Sequence, residues 1–457
     1  MYAMTSLWFE SALLPSGWAR QVRISAADGR IERVDSGAAP AAGEERHLIG
    51  VPGMPNVHSH GFQRGLAGLT ERRGPQADSF WSWRELMYQF VERLDPEDFE
   101  ALTALAYAQM LEAGFTHVGE FHYLHHDRAG VAFADPGELA GRVVAAAAGS
   151  GIGLTLLPTF YAHAGFGGAA PNPRQQRFCT DLERFARILE SSRKAVQAHA
   201  GASVGVAPHS LRAVTAAELT ALVKLAGTGV IHIHVAEQLR EVEECIAWSG
   251  RRPIEWLLEN QPVDERWCLV HATHANPAEL SGIAARAAVA GLCPLTEANL
   301  GDGVFPARAF LERRGRLGVG SDSNVRIDVA GELELLEYGQ RLTERARNVL
   351  AAGSGASTGR TLFEAALHGG TQALRGPAAT VGIAPGAPLD VVTLAAAHPA
   401  LLSRREDALL DSWIFAARGG AVDCVWRAGV KVVSGGRHRD RDAIVARYAR
   451  ALRRLLA

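Results

Sequence analysis

A repeated sequence pattern in the middle of the chain limits the folds that this protein can adopt. From residue 51 to about residue 320, short apolar runs end in His, Glu, Asp or Asn, and a longer stretch with helical spacing follows each run. This alternation predicts strand–helix units. The strand ends are expected at residues 58–60, 120–123, 156–159, 207–209, 232–234, 270–271, 293–294 and 320–322.

Eight such units match a (β/α)₈ barrel, which usually takes about 250 residues. The polar residues fall at the strand ends, and barrel active sites are built at the carboxyl ends of the strands. A dinucleotide-binding fold is disfavoured, because the glycine run at residues 165–168 lacks GxGxxG spacing after a strand.

The two ends of the chain have a different character from its middle. Short β-type runs occur at residues 7–9, 19–24, 31–34, 390–394, 421–426 and 429–433. We therefore predict an α/β protein with a distorted, TIM-like (β/α)₈ barrel and a second, smaller β-sandwich domain formed by the N- and C-terminal segments. The expected division is residues 1–50 plus 381–436 for the sandwich, 51–380 for the barrel and 437–457 for a C-terminal helix.

Composition argues against several classes of protein. The 457 residues carry 47 Lys+Arg and 49 Asp+Glu, a net charge of −2 without a basic block, so no nucleic-acid partner is expected. Five scattered cysteines without a CxxC pair predict a reducing compartment, and residues 1–10 lack a secretory pattern, so we expect a cytoplasmic protein. Residues 143–173 carry no Asp, Glu, Lys or Arg, but their apolar runs are too short to span a membrane.

Three histidines and one aspartate at the strand ends suit a metal ion. His58 and His60 alternate on one strand and therefore point the same way. His234 adds a third imidazole and Asp322 adds a carboxylate. Such a set suits Zn²⁺ with a position left for water, although Fe²⁺ or Mn²⁺ fits the same ligands.

Two details of this metal prediction required a choice. His232 and His234 both belong to one strand, and we predict His234 as the ligand because Glu237 then lies at the strand mouth, whereas His232 lies deeper. Binuclear hydrolases of this type usually bridge two metals through a modified lysine on a middle strand. The fourth strand, residues 203–209, has no lysine. One divalent ion is therefore expected.

Hydrolysis at such an ion requires groups that move protons. Asp322 can position the water, and His271 and Glu237 lie at the ends of neighbouring strands. A glutamate beside a departing amine is appropriate for a deamination. Which of Glu237 and His271 acts as the base and which as the acid stays open.

Long motifs carry a resemblance to a known family. The metal set with residues 234–237, His271 and Ser321–Asp322 resembles the amidohydrolase superfamily in its mononuclear deaminase branch. Residues 58–68, 121–126, 206–212 and 320–328 resemble, more narrowly, the formimidoylglutamate deiminases of histidine degradation. The resemblance implies hydrolysis of N-formimidoyl-L-glutamate to N-formyl-L-glutamate and ammonia, a homodimer, and substrate contacts at Gln63, Arg84, Tyr123, His209 and Arg212.

The chemistry of that substrate permits a check on the residues. A dicarboxylate calls for fixed cations, preferably arginines with their bidentate fork. Arg212 follows the fourth strand, and Arg84 lies on the long segment after the first strand, which we interpret as a loop that serves as a lid or as core packing. The alternatives are a deaminase of an aromatic heterocycle such as guanine, with ring stacking in place of arginines, and a non-catalytic metal-dependent binder.

Overall fold

The computed structural model describes residues 5–74 and 79–457. Its strands are β1 (Thr5–Leu14), β2 (Gly17–Ala27), β3 (Arg30–Asp35), β4 (Glu45–Pro52), β5 (Met54–Ser59), β6 (Phe115–His122), β7 (Gly153–Phe160), β8 (Ser203–Val204), β9 (Ala207–Pro208), β10 (Ile231–Val235), β11 (Trp267–His271), β12 (Val289–Leu292), β13 (Arg316–Val319), β14 (Val391–Leu394), β15 (Val422–Arg427), β16 (Val430–Ser434) and β17 (Arg437–His438).

The helices are α1 (Phe80–Val91), α2 (Pro96–Glu112), α3 (Glu138–Ser150), α4 (Leu182–Ala195), α5 (Ala216–Ala226), α6 (Leu239–Ser249), α7 (Pro253–Asn260), α8 (Pro277–Ala285), α9 (Pro294–Leu300), α10 (Ala307–Glu312), α11 (Val329–Glu344), α12 (Thr358–Arg375), α13 (Asp407–Phe415) and α14 (Arg441–Leu456). Many begin at a side chain that caps the first turn, such as Asp95 before α2 and Thr215 before α5.

Parallel strands close into the predicted barrel. Strands β5 to β9 form one sheet and β10 to β13 form another. Parallel bridges join the two sheets at both seams, Val206 to Ile231 and Ser59 to Asp322. The prediction of a distorted (β/α)₈ barrel is confirmed.

The fourth barrel strand is the most irregular, and here the structure differs from the single strand expected up to residues 207–209. The Gly205 N–H donates to Leu156 O at 2.9 Å, whereas the next amide, Val206 N–H, donates to Val230 O at 3.0 Å. The backbone therefore changes its hydrogen-bonding partner from one neighbour to the other within two residues. This change divides the strand into β8 and β9.

The two chain ends combine in one β domain. Its strands are hydrogen-bonded in the order β17-β16-β15-β14-β4-β1-β2-β3. β4 joins the two ends, because it pairs parallel with β1 and antiparallel with β14. Buried Phe9 and Val22 from the N-terminal part and Trp426 from the C-terminal part share one apolar cluster. The predicted second domain from both ends is confirmed, and its strands form one continuous sheet.

Helix α12 closes the end of the barrel opposite the strand mouths. His232 Nε2 donates to Ala373 O at 2.9 Å and Thr155 Oγ1 donates to Leu374 O at 2.9 Å. His232 is therefore a buried histidine with a backbone partner on this helix. The close approach depends on glycine, because a Cβ at Gly369 would lie 2.0 Å from Leu317 O.

Gly369→Ala is expected to lower the free energy of unfolding by about 1–3 kcal/mol, since overpacking a filled interior costs that much. Gly141→Ala on α3 is the matched control, because a Cβ there meets no heavy atom within 4 Å. The control is expected to be neutral or stabilising, as alanine favours helix over glycine. Urea denaturation measures the free energy of unfolding of both variants. Equal changes in the two variants would contradict the packing argument.

The C-terminal helix packs against the barrel. α14 lies beside α2, where Arg447 Nη2 is 2.6 Å from Glu100 Oε1, and Arg441 and Arg454 form ion pairs with Glu112 and Asp98. The arginines of α14 therefore attach this helix to α2 through carboxylates that are buried or largely buried. None of the helices in the described ranges combines the length and apolar character needed to cross a bilayer.

Candidate metal centre and active site

Four side chains at the strand mouths bring possible ligand atoms together. His58 Nε2 lies 3.2 Å from His60 Nε2, 3.0 Å from His234 Nε2 and 3.3 Å from Asp322 Oδ1. His60 Nε2 is 3.4 Å from the same carboxylate oxygen. Ligands about 2.1 Å from a tetrahedral ion are about 3.4 Å apart, so these separations fit one such ion. The four predicted metal ligands thus form one buried cluster.

The protonation of these histidines also fits a metal. His60 Nδ1 lies 2.9 Å from Phe121 O and His234 Nδ1 lies 3.0 Å from His209 O. A carbonyl oxygen only accepts, so both Nδ1 atoms carry the proton and both Nε2 atoms present a lone pair to the centre. Burial lowers the pKa of all three imidazoles, that of His58 to about 3, which keeps them in the neutral form that binds metal.

The backbone at the barrel seam fixes the ligands relative to one another. His60 N–H donates to Asp322 O, and Asp322 N–H donates to His58 O, each at 2.9 Å. The buried Asn324 side chain adds bonds to His60 O at 3.1 Å and Asp322 O at 2.9 Å. Asp322 itself has φ +43°, in the left-handed region that most non-glycine residues avoid. The role of Asn324 is not predicted from the sequence, because its bond to His60 O spans 264 positions of the chain.

Glu237 and His271 lie next to the metal ligands. His271 Nε2 is 3.8 Å from Glu237 Oε1 and 3.9 Å from Asp322 Oδ2. Burial raises the pKa of Glu237 to about 7. Burial lowers the pKa of His271, but Glu237, Glu297 and Asp322 outweigh it and raise that pKa to about 10. A carboxyl group with a pKa near 7 can both take up and release a proton at neutral pH.

A second carboxylate, Glu241, holds the segment that carries Glu237. Its two oxygens accept the backbone N–H groups of Ala236 and Glu237, each at 3.1 Å. Ala236 has φ +52°, so the chain turns sharply between β10 and α6. Glu241 was not singled out from sequence; its position four residues after Glu237 was the available signal.

A cavity of about 280 Å³ opens at this cluster. That volume lies near the lower end of the range for small-molecule sites. All five residues predicted to contact substrate line it, namely Gln63, Arg84, Tyr123, His209 and Arg212. His60, His234, Glu237, His271 and Asp322 line the same cavity. The structure therefore brings the predicted metal, catalytic and substrate-binding residues into one site.

The polar atoms of this cavity include several without a partner. The Nε atoms of Arg84 and Arg212 are buried and have no hydrogen-bond acceptor, and Gln63 Oε1 has no donor. Among the described residues, no carboxylate lies within ion-pair distance of either arginine. Gln63 Nε2 donates to Tyr123 OH at 2.8 Å, which fixes the amide orientation. Two unpaired cations therefore face a site of small-molecule size.

The segment that carries Arg84 corrects an expectation. The sequence predicts a loop over residues 74–88, but α1 begins at Phe80, where Ser79 caps the helix by accepting from Trp81 N–H. Residues 75–78 lie outside the described part of the chain. The α1 residues form a wall of the cavity, and the Arg84 guanidinium carbon lies 4.5 Å from the centre of the Trp81 ring.

Together the barrel, the four-ligand cluster and the adjoining carboxyl and imidazole groups define a metal-dependent hydrolase. The chain belongs to the amidohydrolase family, whose model matches residues 49–432. A second model, described as formimidoylglutamate deiminase HutF, N-terminal domain, matches residues 4–48.

Individual relatives agree with this assignment. The chain is 49% identical over 455 residues to the formimidoylglutamate deiminase of Pseudomonas aeruginosa, covering 99% of this chain and 100% of that protein. It is 26% identical to the 8-oxoguanine deaminase of the same species, over 70% of this chain and 72% of that one.

Solved structures extend the comparison. A crystal structure of an amidohydrolase from Brucella melitensis is 54% identical, with a TM-score of 0.96, over 99% of this chain and 100% of that one. An adenosine deaminase from Xanthomonas campestris, crystallised with bound zinc, is 21% identical with a TM-score of 0.80, over 99% and 98% of the two chains. The latter likeness concerns the fold alone.

Proposed function

We propose that this enzyme hydrolyses N-formimidoyl-L-glutamate to N-formyl-L-glutamate and ammonia in histidine degradation. The full-length similarity to the Pseudomonas aeruginosa formimidoylglutamate deiminase supports this reaction. The match of the N-terminal residues to a domain model of the same enzyme gives further support.

The observation that carries the proposal is that two arginines of the cavity have no carboxylate partner among the described residues. N-Formimidoyl-L-glutamate has two carboxylates, and Arg84 and Arg212 offer two guanidinium groups whose Nε atoms lack acceptors. A flat heterocycle would instead need a free aromatic face. The guanidinium carbons of Arg84 and Arg240 each lie 4.5 Å from the centre of the Trp81 ring, so cations already cover this ring, which is one of several aromatic rings in the wall.

His58, His60, His234 and Asp322 would hold the metal ion. A divalent ion bound there supplies Lewis acidity, which lowers the pKa of water from about 15.7 toward 7. Zn²⁺ is the proposed ion because three imidazoles and one carboxylate suit it. A single ion is proposed, since the three lysines lie on α4, α5 and β16 and none lines the cavity.

The remaining side chains account for the protons of the reaction. Asp322 accepts a hydrogen bond from the attacking water and orients it toward the formimidoyl carbon. Glu237 and His271 take the proton that water loses and deliver protons to the departing nitrogen, which leaves as ammonia. The C=N bond is replaced by C=O, so water and substrate balance the formyl product and ammonia. The contacts of Glu237 and His271 beside Asp322 support these roles.

Two further properties belong to the proposal. We expect a cytoplasmic enzyme, as suits the degradation of an amino acid, and a homodimer, as family likeness implies. Neither property enters the mechanism, because all the proposed site residues come from one chain.

Arg212→Met is expected to lower kcat/KM for N-formimidoyl-L-glutamate at least tenfold. A buried charge-assisted hydrogen bond contributes about 1.5–3 kcal/mol, and methionine keeps an unbranched apolar side chain but removes the guanidinium group. The measurement is ammonia release under initial-rate conditions, with metal content determined in parallel.

A formamidine that carries an alkyl chain without carboxylates is the matched control substrate. Wild-type enzyme and the Arg212→Met variant should process it at equally low rates, because it has nothing for the arginine to bind. Unchanged kinetics with the dicarboxylate, or an equal loss with both substrates, would remove the proposed role of Arg212.

A further inference from the structure

Glu297 is a buried carboxylate that contacts His271 from the side opposite the cavity. It lies in the first turn of α9 and is only 4% exposed. Its Oε1 is 3.2 Å from His271 Nδ1 and accepts the Cys293 N–H at 2.8 Å. Glu297 does not line the cavity, so it reaches the reaction only through the imidazole.

This contact determines how His271 can act. An ionised carboxylate only accepts, so His271 Nδ1 carries a proton whether the ring is neutral or charged. The other nitrogen, Nε2, then faces Glu237 Oε1 at 3.8 Å and Asp322 Oδ2 at 3.9 Å. His271 has φ +67°, so its backbone is also held in an unfavourable conformation at the strand end.

We propose that Glu297 is a positioning residue, which fixes the orientation and the Nδ1 proton of His271 so that Nε2 can exchange a proton within the cavity. The inference rests on the proposed function, because it needs the proton-handling role of His271. Glu297 itself touches neither substrate nor metal ligand. Loss of a partner that orients a metal-ligating histidine typically costs about 10–100-fold in activity, and we expect an effect of the same size for this proton-handling histidine.

The same residues could instead be read as ligands of a second metal. Ligand atoms of His271, Cys293 and Glu297 lie within 4.8 Å of one another. However, the Glu297 oxygen is already engaged by the Cys293 N–H and the imidazole. Burial raises the pKa of the Cys293 thiol well above its usual range, and the neutral thiol is a poor ligand. Positioning is therefore the better account.

The experiment measures kcat and KM for ammonia release by the Glu297→Ala and Glu297→Gln variants, each loaded with metal. Glu297→Ala is expected to lower kcat by about 10–100-fold while KM changes less than about twofold. Glu297→Gln keeps an acceptor oxygen for Nδ1 and should recover much of that loss. The glutamine variant also preserves the side-chain volume, so the proposal can still be tested if the alanine variant does not fold.

A double-mutant cycle with His271→Asn separates positioning from a structural role. If Glu297 acts through the imidazole, Glu297→Ala should have no further effect on kcat once His271 is replaced. Glu332→Gln is the matched control, because Glu332 is also a fully buried carboxylate near α9, where it accepts the Leu295 N–H at 2.9 Å. That variant should keep kcat within about threefold of wild type.

Three results would overturn the inference. Glu297→Ala could lower kcat equally with and without His271, it could raise KM alone, or it could remove a second equivalent of metal. Failure of the proposed function would look different, because the wild-type enzyme itself would then release no ammonia from N-formimidoyl-L-glutamate.

Discussion

Glu237→Gln is expected to lower kcat by about 10²–10⁴-fold, the usual contribution of a positioned general acid or base. The amide has nearly the same shape but cannot take up or release a proton. Glu237 lies 3.8 Å from His271 Nε2 in the wall of the cavity, where burial raises its pKa to about 7. One equivalent of metal should remain bound, because Glu237 is not one of the proposed ligands. Ammonia release and metal analysis on the same sample measure both quantities.

Glu244→Gln provides a matched control for this prediction. Glu244 lies on α6 and lines the same cavity, but it accepts a hydrogen bond from Arg240 at 2.7 Å and has no contact with a proposed metal ligand or with His271 among the described ion pairs and hydrogen bonds. The control should change kcat less than about threefold. A small effect of Glu237→Gln, comparable to that of the control, would assign the proton transfers elsewhere.

His234→Asn is expected to abolish metal binding. It should therefore lower kcat/KM by more than about 10³-fold, because water activation depends on the ion. His234 Nε2 lies 3.0 Å from His58 Nε2 inside the ligand cluster. His232 on the same strand is the matched control, because its Nε2 bonds to Ala373 O on α12. His232→Asn should keep one equivalent of metal and lose stability instead, as it disturbs a buried hydrogen bond.

Metal content after dialysis, together with the thermal unfolding midpoint, distinguishes these two histidines. The opposite pattern, with metal lost from His232→Asn and retained by His234→Asn, would contradict the choice of His234. Loss of metal from both variants would indicate that the strand, rather than one imidazole, holds the site together.

The order of strands and the proposed ligands could be predicted because both are local properties of the sequence. His58 and His60 follow an apolar run and alternate along one strand, so their shared direction follows from the two-residue strand period. In parallel barrels all strand ends meet at one mouth, which brings His234 and Asp322 to the same place.

The supporting residues could not be predicted, because their partners are set by the closed barrel. The Asn324 side chain donates a hydrogen bond to His60 O, which is 264 positions away in the sequence. Glu297 contacts His271, which is 26 positions away. The start of α1 was missed for a different reason: a run of aromatic residues has weak helix propensity, and Ser79 was not recognised as a helix cap.

The central claim is the reaction itself, and ammonia release from N-formimidoyl-L-glutamate by the metal-loaded enzyme tests it most directly. Guanine and N-formimidoyl-L-aspartate are assayed beside it as comparison substrates. We predict turnover of the glutamate compound with kcat/KM above about 10⁴ M⁻¹s⁻¹, within the usual range for enzymes. No ammonia from this compound with the metal confirmed in place, or faster release from guanine, would contradict the account.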